Sequence, residues 1–67
     1  MISPKQIRAG RALIGWSQSD LAAASGLSIR TIKYVEKGKS CRADTHEAIY
    51  SALARHVDFP KQGVALR

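Results

Sequence analysis

Four side chains between positions 30 and 37 have the chemistry to bind an anionic, hydrogen-bonding partner. They are spaced i, i+3, i+4 and i+7, so a helix would place them on one face: Arg30, Lys33, Tyr34 and Lys37. An arginine can bond guanine through two hydrogen bonds, and a lysine can do so less rigidly. A tyrosine can contact a base edge, a methyl group or a phosphate. The alternative is that this basic stripe is only a solvated helix face.

Apolar residues in the same segment form a second stripe. Ile32 and Val35, with Ile29 one turn earlier and Leu27 before it, are expected to face the core. A helix with one apolar and one basic stripe can pack on a core and present its other side to the major groove of DNA. Ile29, at the start of the helix, could then contact a thymine methyl if it is not wholly in the core.

The charge balance points to a polyanionic partner. The chain has 11 Lys and Arg against 5 Asp and Glu, for a net charge of +6. Five of these cations lie within thirteen residues, at Arg30, Lys33, Lys37, Lys39 and Arg42. The one acid among them, Glu36, is predicted on the inner side of the helix. We expect double-stranded DNA as the partner, with RNA and then an acidic membrane face as weaker alternatives.

Other reactive residues do not form a recognisable site. Gly38-Lys39-Ser40 is similar to the end of a phosphate-binding loop, but Lys33 stands where that pattern needs glycine. Cys41, His46 and His56 are too few and too irregularly spaced for structural zinc, and nothing orients a histidine toward the cysteine as a catalytic pair. We therefore expect no metal, no cofactor, no small-molecule ligand and no enzymatic activity.

Capping signals predict the helices that position the basic stripe. Ser3-Pro4-Lys5-Gln6 is typical of a helix start, and Ser17 with Asp20 forms a second capping box. Ser28 caps the third helix. Glycines at positions 15, 26 and 38 end these three helices. The connection around Ser25-Gly26-Leu27-Ser28 is so short that the second and third helices must cross steeply, which indicates a helix-turn-helix.

The rest of the chain is predicted to be one more helix and a strand-like tail. Asp44 is the candidate N-cap of a fourth helix ending near Arg55, and its expected inner face is Thr45, Ala48, Ile49, Ala52, Leu53 and His56. Residues 57–59 and 64–66 would form two strands around a turn at 60–63. Such a hairpin is marginal alone and needs a helix or a second chain to pack on.

The length of 67 residues favours one small domain, predicted over residues 1–56, with residues 57–67 as an extension. At this size the core is thin, so dimerisation would add stability. The single cysteine excludes an internal disulfide. No apolar run is long enough to span a bilayer, and basic residues interrupt any signal-like start, so a cytoplasmic location and no membrane partner are expected.

Residues 18–38 resemble the helix-turn-helix of the XRE family, the phage Cro and repressor type. The matching positions are Gln18, Leu21, Ala22, Gly26, Leu27, Ser28, Thr31, Ile32, Val35, Glu36 and Gly38. The resemblance implies an all-α, lambda-repressor-like fold of four compact helices, with five as the alternative. It also implies that a short tail such as residues 57–67 can serve dimerisation.

The resemblance also implies roles for individual residues in and around the matched segment. Bases would be contacted by Ile29, Arg30, Lys33 and Tyr34. Phosphates would be contacted by Gln18, Thr31, Lys37, Lys39 and Arg42, and Gln18 would also hold the start of the third helix. Arg11 and Glu36 match a buried ion pair that ties the first helix to the third.

The expected function is that of a transcriptional regulator that binds specific double-stranded DNA as a homodimer. The alternative is a protein-interaction module of the same fold that partners a regulator or a toxin, as antitoxins do. That class is expected to have an uncharged or acidic third helix, whereas the third helix here is basic. A non-specific RNA binder would need exposed aromatic rings for stacking, and only Tyr34 qualifies.

Overall fold

The computed structural model describes residues 2–67. Its elements, in chain order, are α1 (Pro4–Leu13), α2 (Gln18–Ser25), α3 (Ile29–Glu36), α4 (Ala43–Ala54), β1 (Val57–Asp58) and β2 (Ala65–Leu66). The two strands are antiparallel, with Val57 opposite Leu66 and Asp58 opposite Ala65. The prediction of a four-helix fold with a strand-like tail is therefore confirmed. Within the described residues, no helix is long and apolar enough to cross a membrane.

Side-chain caps at the first three helices explain why these helices begin where they do. Ser3 Oγ accepts a hydrogen bond from Gln6 N, and Gln6 Oε1 accepts one from Ser3 N, so both halves of the capping box are present. Ser17 and Asp20 repeat this arrangement at α2. At α3, Ser28 Oγ accepts from Thr31 N at 3.1 Å. All three predicted N-caps are confirmed.

The start of α4 differs from the prediction that Asp44 is its N-cap. The helix begins at Ala43, and Arg42 occupies the N-cap position without a side-chain cap. Asp44 lies in the first turn, where its carboxylate pairs with Arg42 and is favoured by the positive end of the helix dipole. The N-cap prediction was wrong because the backbone turns helical one residue before the first capping-type side chain.

The core lies where the four helices meet. Its fully buried members are Ile7, Leu21, Ile32, Ile49, Leu53 and Val57. Trp16, in the turn between α1 and α2, packs against this cluster and is half-buried. The prediction that His56 lies on the inner face of α4 was wrong, because α4 ends at Ala54. His56 is exposed, and its ring meets Trp16 edge-on with centroids 5.1 Å apart.

The hairpin packs on α1 and α4 of its own chain. Gln6 Nε2 donates hydrogen bonds to the carbonyl oxygens of Lys61, at 2.7 Å, and Gly63, at 3.0 Å. Gly10 allows the Phe59 ring to approach α1, since a Cβ at this position would lie 3.3 Å from that ring. The tail therefore has the helical support that a two-stranded hairpin needs.

Candidate nucleic-acid interface

The turn between α2 and α3 fixes how α3 is presented. Gly26 adopts a left-handed backbone, with φ of +73°, and its N–H bonds to Ala22 O. Apart from the two adjacent residues, no heavy atom lies within 4 Å of a Cβ built on Gly26. The left-handed backbone angle, and not a lack of space, therefore explains why this residue is glycine. Leu27 N donates to the same carbonyl at 3.0 Å, which closes the turn. Only three residues separate the end of α2 from the start of α3.

The inner face of α3 is buried in the domain. Ile32 is 0% exposed, Val35 3% and Glu36 4%. The two aliphatic residues join the core, as the apolar stripe predicted. Ile29 does not join them, because it is 41% exposed and lies on the outer side of the helix. The structure thus assigns Ile29 to the exposed side of α3 and not to the core.

The outer face of α3 brings together every residue predicted to contact bases. A shallow groove of about 380 Å³ is lined by Ile29, Arg30, Lys33, Tyr34 and Lys37. All five residues are exposed, and the Tyr34 side chain is 53% exposed. Within residues 2–67, no acidic side chain pairs with the three cations of this surface. We call these five residues the outer face of α3.

A buried polar network fixes the other side of the helix. Arg11 forms a two-pronged ion pair with Glu36, with Nε 2.9 Å from Oε2 and Nη2 3.2 Å from Oε1. Gln18 Nε2 donates to Glu36 Oε1 at 3.1 Å, and Arg11 Nη1 donates to Trp16 O at 2.9 Å. The network joins α1, the following turn, α2 and α3. It balances the charge of Glu36, so this acid does not neutralise the outer face.

Arg8 is a member of this region that the sequence analysis missed. Its Nη1 donates to the carbonyl oxygen of Glu36, at the C-terminal end of α3. A cation is favoured there because helix carbonyls at this end lack intrahelical partners. In the sequence, Arg8 lies three residues before Arg11 and so on the same side of α1, but this spacing does not specify its contact with α3.

The residues predicted to contact phosphates differ in their exposure and in their hydrogen-bond partners. Lys37 and Lys39 are exposed. Arg42 is 85% exposed and pairs with Asp44 at 3.2 Å. Thr31 is half-buried, with its hydroxyl oxygen 2.9 Å from Ser28 Oγ. Gln18 was predicted to hold the start of α3, but its side chain bonds to Glu36, near the end of the helix. At the helix start, Ile29 has no polar side-chain atom to bind it.

No other constellation of reactive groups stands out in the part of the chain that the structure describes. No three His, Cys, Asp or Glu side chains among residues 2–67 are placed to share a metal ion. Cys41 is a free thiol that packs partly against the core. The Nε2–H group of His46 donates to Ile2 O at 2.9 Å, which ties the start of the chain to α4.

Comparison with known families agrees with this geometry. A helix-turn-helix family model matches residues 7–42, just over half of the chain. The match runs from α1 through α3 to the loop that ends at Arg42. No match was found among curated proteins. Members of this family bind DNA and normally have no enzymatic activity. The chain, with its helix-turn-helix and its buried Arg11–Glu36 pair, therefore belongs to the XRE family of DNA-binding helix-turn-helix regulators.

Proposed function

We propose that the protein is a transcriptional regulator that binds a specific double-stranded DNA site as a homodimer, with α3 of each copy in the major groove. The observation that carries this proposal is the outer face of α3, where three cations and two other side chains lie opposite a buried face. A helix of this kind fits a groove about 12 Å wide whose floor offers donors and acceptors for each base pair. Such a regulator would act in the cytoplasm.

The outer face supplies the groups that would contact bases. Arg30 offers a planar pair of N–H donors to O6 and N7 of guanine, and Lys33 offers a single ammonium group to the same kind of acceptor. Ile29 supplies an exposed aliphatic surface for a thymine methyl. Tyr34 combines a ring with a hydroxyl and suits a base edge, a methyl group or a phosphate. Together these four side chains would read about four or five base pairs, as a single recognition helix does.

Phosphate contacts would come from the surrounding residues. Lys37 and Lys39 are exposed, and neither forms an ion pair within residues 2–67. Arg42 can leave its exposed ion pair with Asp44 and bind a phosphate at little cost in free energy. Surface ion pairs contribute only about 0–1 kcal/mol to stability. Gln18 Nε2 carries two hydrogens, so it can keep its bond to Glu36 and still donate to a phosphate. Thr31 would add a hydroxyl contact.

The proposal includes two copies because one helix reads too few base pairs for useful selectivity. A symmetric pair would bind two half-sites about 34–36 Å apart, one turn of the DNA helix. The positive outer face argues against the antitoxin-like alternative, in which the third helix contacts another protein. A polyanion is the simpler partner for three uncompensated cations.

Selection of bound duplexes from a random pool tests this proposal. We expect enrichment of an inverted repeat, with half-site centres separated by one helical turn. The same selection with Arg30→Ala should lose preference at one position of each half-site. Arg55→Ala, which removes an exposed cation at the C-cap of α4, away from the outer face, is the matched control and should keep the full site. Equal recovery of all sequences by the wild type would contradict specific binding.

A further inference from the structure

A second open cavity lies away from α3. It is an open groove of about 730 Å³ between the start of the chain, the N-terminal half of α4 and the hairpin turn. We call it the Tyr50 groove and define it by Ile2, His46, Glu47, Tyr50, Phe59 and Lys61. Among residues 2–67, no residue of α3 lines it. A partner in this groove therefore leaves the outer face of α3 uncovered.

Aromatic side chains make the Tyr50 groove suited to protein contact. The Tyr50 side chain is 45% exposed, and its ring centroid lies 5.8 Å from that of Phe59. Two of the four aromatic residues of the chain thus lie side by side on an open surface. Tyrosine and phenylalanine are enriched at protein interfaces because they bury a large area at a low cost in side-chain entropy.

The groove is also held rigidly. The Gln6 bonds to Lys61 O and Gly63 O fix the hairpin turn to α1, and the Phe59 ring lies against Gly10. His46 bonds to Ile2 O and so fixes the chain start on α4. A surface already in its bound shape loses little conformational entropy when a partner docks.

One acid and one base favour a second copy of the chain as the partner. Glu47 on α4 and Lys61 in the hairpin turn both line the groove and are exposed, and neither belongs to an ion pair within residues 2–67. A twofold axis that runs between Glu47 and Lys61 would set the acid of each copy against the base of the other, so this surface can be complementary to a copy of itself. Glu47 also disfavours a nucleic acid as the occupant, because it would repel phosphates.

We propose that the Tyr50 groove is the homodimer interface, with Glu47 of each copy against Lys61 of the other and the Tyr50–Phe59 pairs at the centre. This inference rests on the proposed function, which requires two copies. It adds that the tail dimerises through its turn and Phe59, together with α4. The outer edge of β2, where Leu66 is 61% exposed, is left free.

Charge reversal and mixing provide the test, with the mass of the full chain measured by sedimentation equilibrium. Lys61→Glu and Glu47→Lys each replace two attractive contacts per dimer with two repulsive ones. Each variant alone should raise the dimer Kd about tenfold. An equimolar mixture of the two variants should form a mixed dimer with two attractive contacts, and its Kd should return to within about twofold of the wild type. The double variant Glu47→Lys/Lys61→Glu should behave in the same way.

Arg55→Glu is the matched control, because it makes the same charge change as Lys61→Glu on an exposed residue outside the groove. It should leave the dimer Kd unchanged, and circular dichroism should show all variants folded. The inference is overturned if the single variants dimerise like the wild type, or if mixing them restores nothing. It is also overturned if Leu66→Lys, which blocks the β2 edge, is the change that abolishes the dimer.

These outcomes separate the interface from the proposed function. If the charge variants remain dimeric and the selected site is still an inverted repeat, the interface lies elsewhere and the dimeric regulator stands. If the wild-type chain is monomeric in solution and on DNA, and selects a single half-site, both the interface and the dimer are wrong, while reading by α3 remains. If no sequence is selected, the proposed function itself fails.

Discussion

The two faces of α3 carry charges that differ in exposure to solvent. On the outer face, Arg30, Lys33 and Lys37 are exposed to solvent. On the inner face, Glu36 is 4% exposed and receives hydrogen bonds from Arg11 and Gln18. An exposed charge keeps its hydration and contributes little to stability, whereas a buried charge depends on its partner. The comparison shows that the charges of one short helix and its C-cap are divided between an exposed and a buried face, and the proposed function assigns binding to the first.

The largest expected effect is on the inner face. Arg11→Ala leaves the Glu36 carboxylate buried without its cation, which costs about 3–5 kcal/mol of the free energy of unfolding. A domain of this size has roughly 3–10 kcal/mol in total, so the variant should be largely unfolded or strongly destabilised. Urea denaturation followed by circular dichroism measures this loss.

Two controls sharpen this prediction. Arg42→Ala breaks the exposed pair with Asp44 and should cost less than about 1 kcal/mol. The double variant Arg11→Met/Glu36→Leu removes both buried charges and should recover much of the lost stability. If Arg11→Ala is as stable as Arg42→Ala, the distinction between the faces is wrong.

The next largest effect is expected on the outer face. Arg30→Ala should leave the free energy of unfolding within about 0.5 kcal/mol of the wild type, because the residue is exposed. It should weaken binding by about 1–3 kcal/mol for each half-site and relax preference at one base pair of each half-site. Fluorescence anisotropy with the site and its single-base variants measures both effects. A loss that is equal on every sequence would show that Arg30 does not read a base.

A smaller effect is expected at the turn that orients both faces. Gly26→Ala places a Cβ on a backbone with φ of +73°, and the strain should cost about 1 kcal/mol of stability. Because the new methyl meets no neighbouring atom, α3 should keep its position and its affinity for the selected site. Thermal denaturation and anisotropy test the two parts. A loss of affinity without a loss of stability would mean that the turn itself contacts DNA.

The smallest effect concerns the edge of the outer face. Lys39→Ala should weaken binding to every sequence alike, by about 1 kcal/mol or less at moderate salt, because a phosphate contact carries no sequence information. The slope of log affinity against log salt should fall in magnitude by about 0.9 per subunit, or about 1.8 for a dimer that loses two phosphate contacts. Arg55→Ala, which removes an exposed cation at the C-cap of α4, is the matched control and should leave the slope unchanged.

Local signals explain what could be predicted from the sequence. Ser3, Ser17 and Ser28 were identified as caps because capping depends on residues within one turn. The start of α4 was misplaced because Arg42 has no capping side chain to mark it. The second role of Gln6 could not be predicted, since its bonds to the hairpin turn join residues more than fifty positions apart.

The residues of the candidate site could be predicted where helical spacing alone places them. Helical spacing placed Arg30, Lys33 and Tyr34 on one surface, and the structure brings them together. Ile29 stayed ambiguous because the first residue of α3 lies at the boundary between the two stripes. The contact of Arg8 with the end of α3 depends on how α1 packs across that helix, which spacing along one chain segment does not specify.

The central claim is that the outer face of α3 reads bases in the major groove, and methylation protection tests it most directly. Dimethyl sulfate modifies guanine N7 in the major groove and adenine N3 in the minor groove, so one experiment distinguishes the two grooves. We expect the wild type to protect guanine N7 in each half-site, and Arg30→Ala to lose this protection at one guanine of each half-site while remaining folded. Protection of adenine N3 alone, or guanine protection unchanged in Arg30→Ala, would contradict the claim.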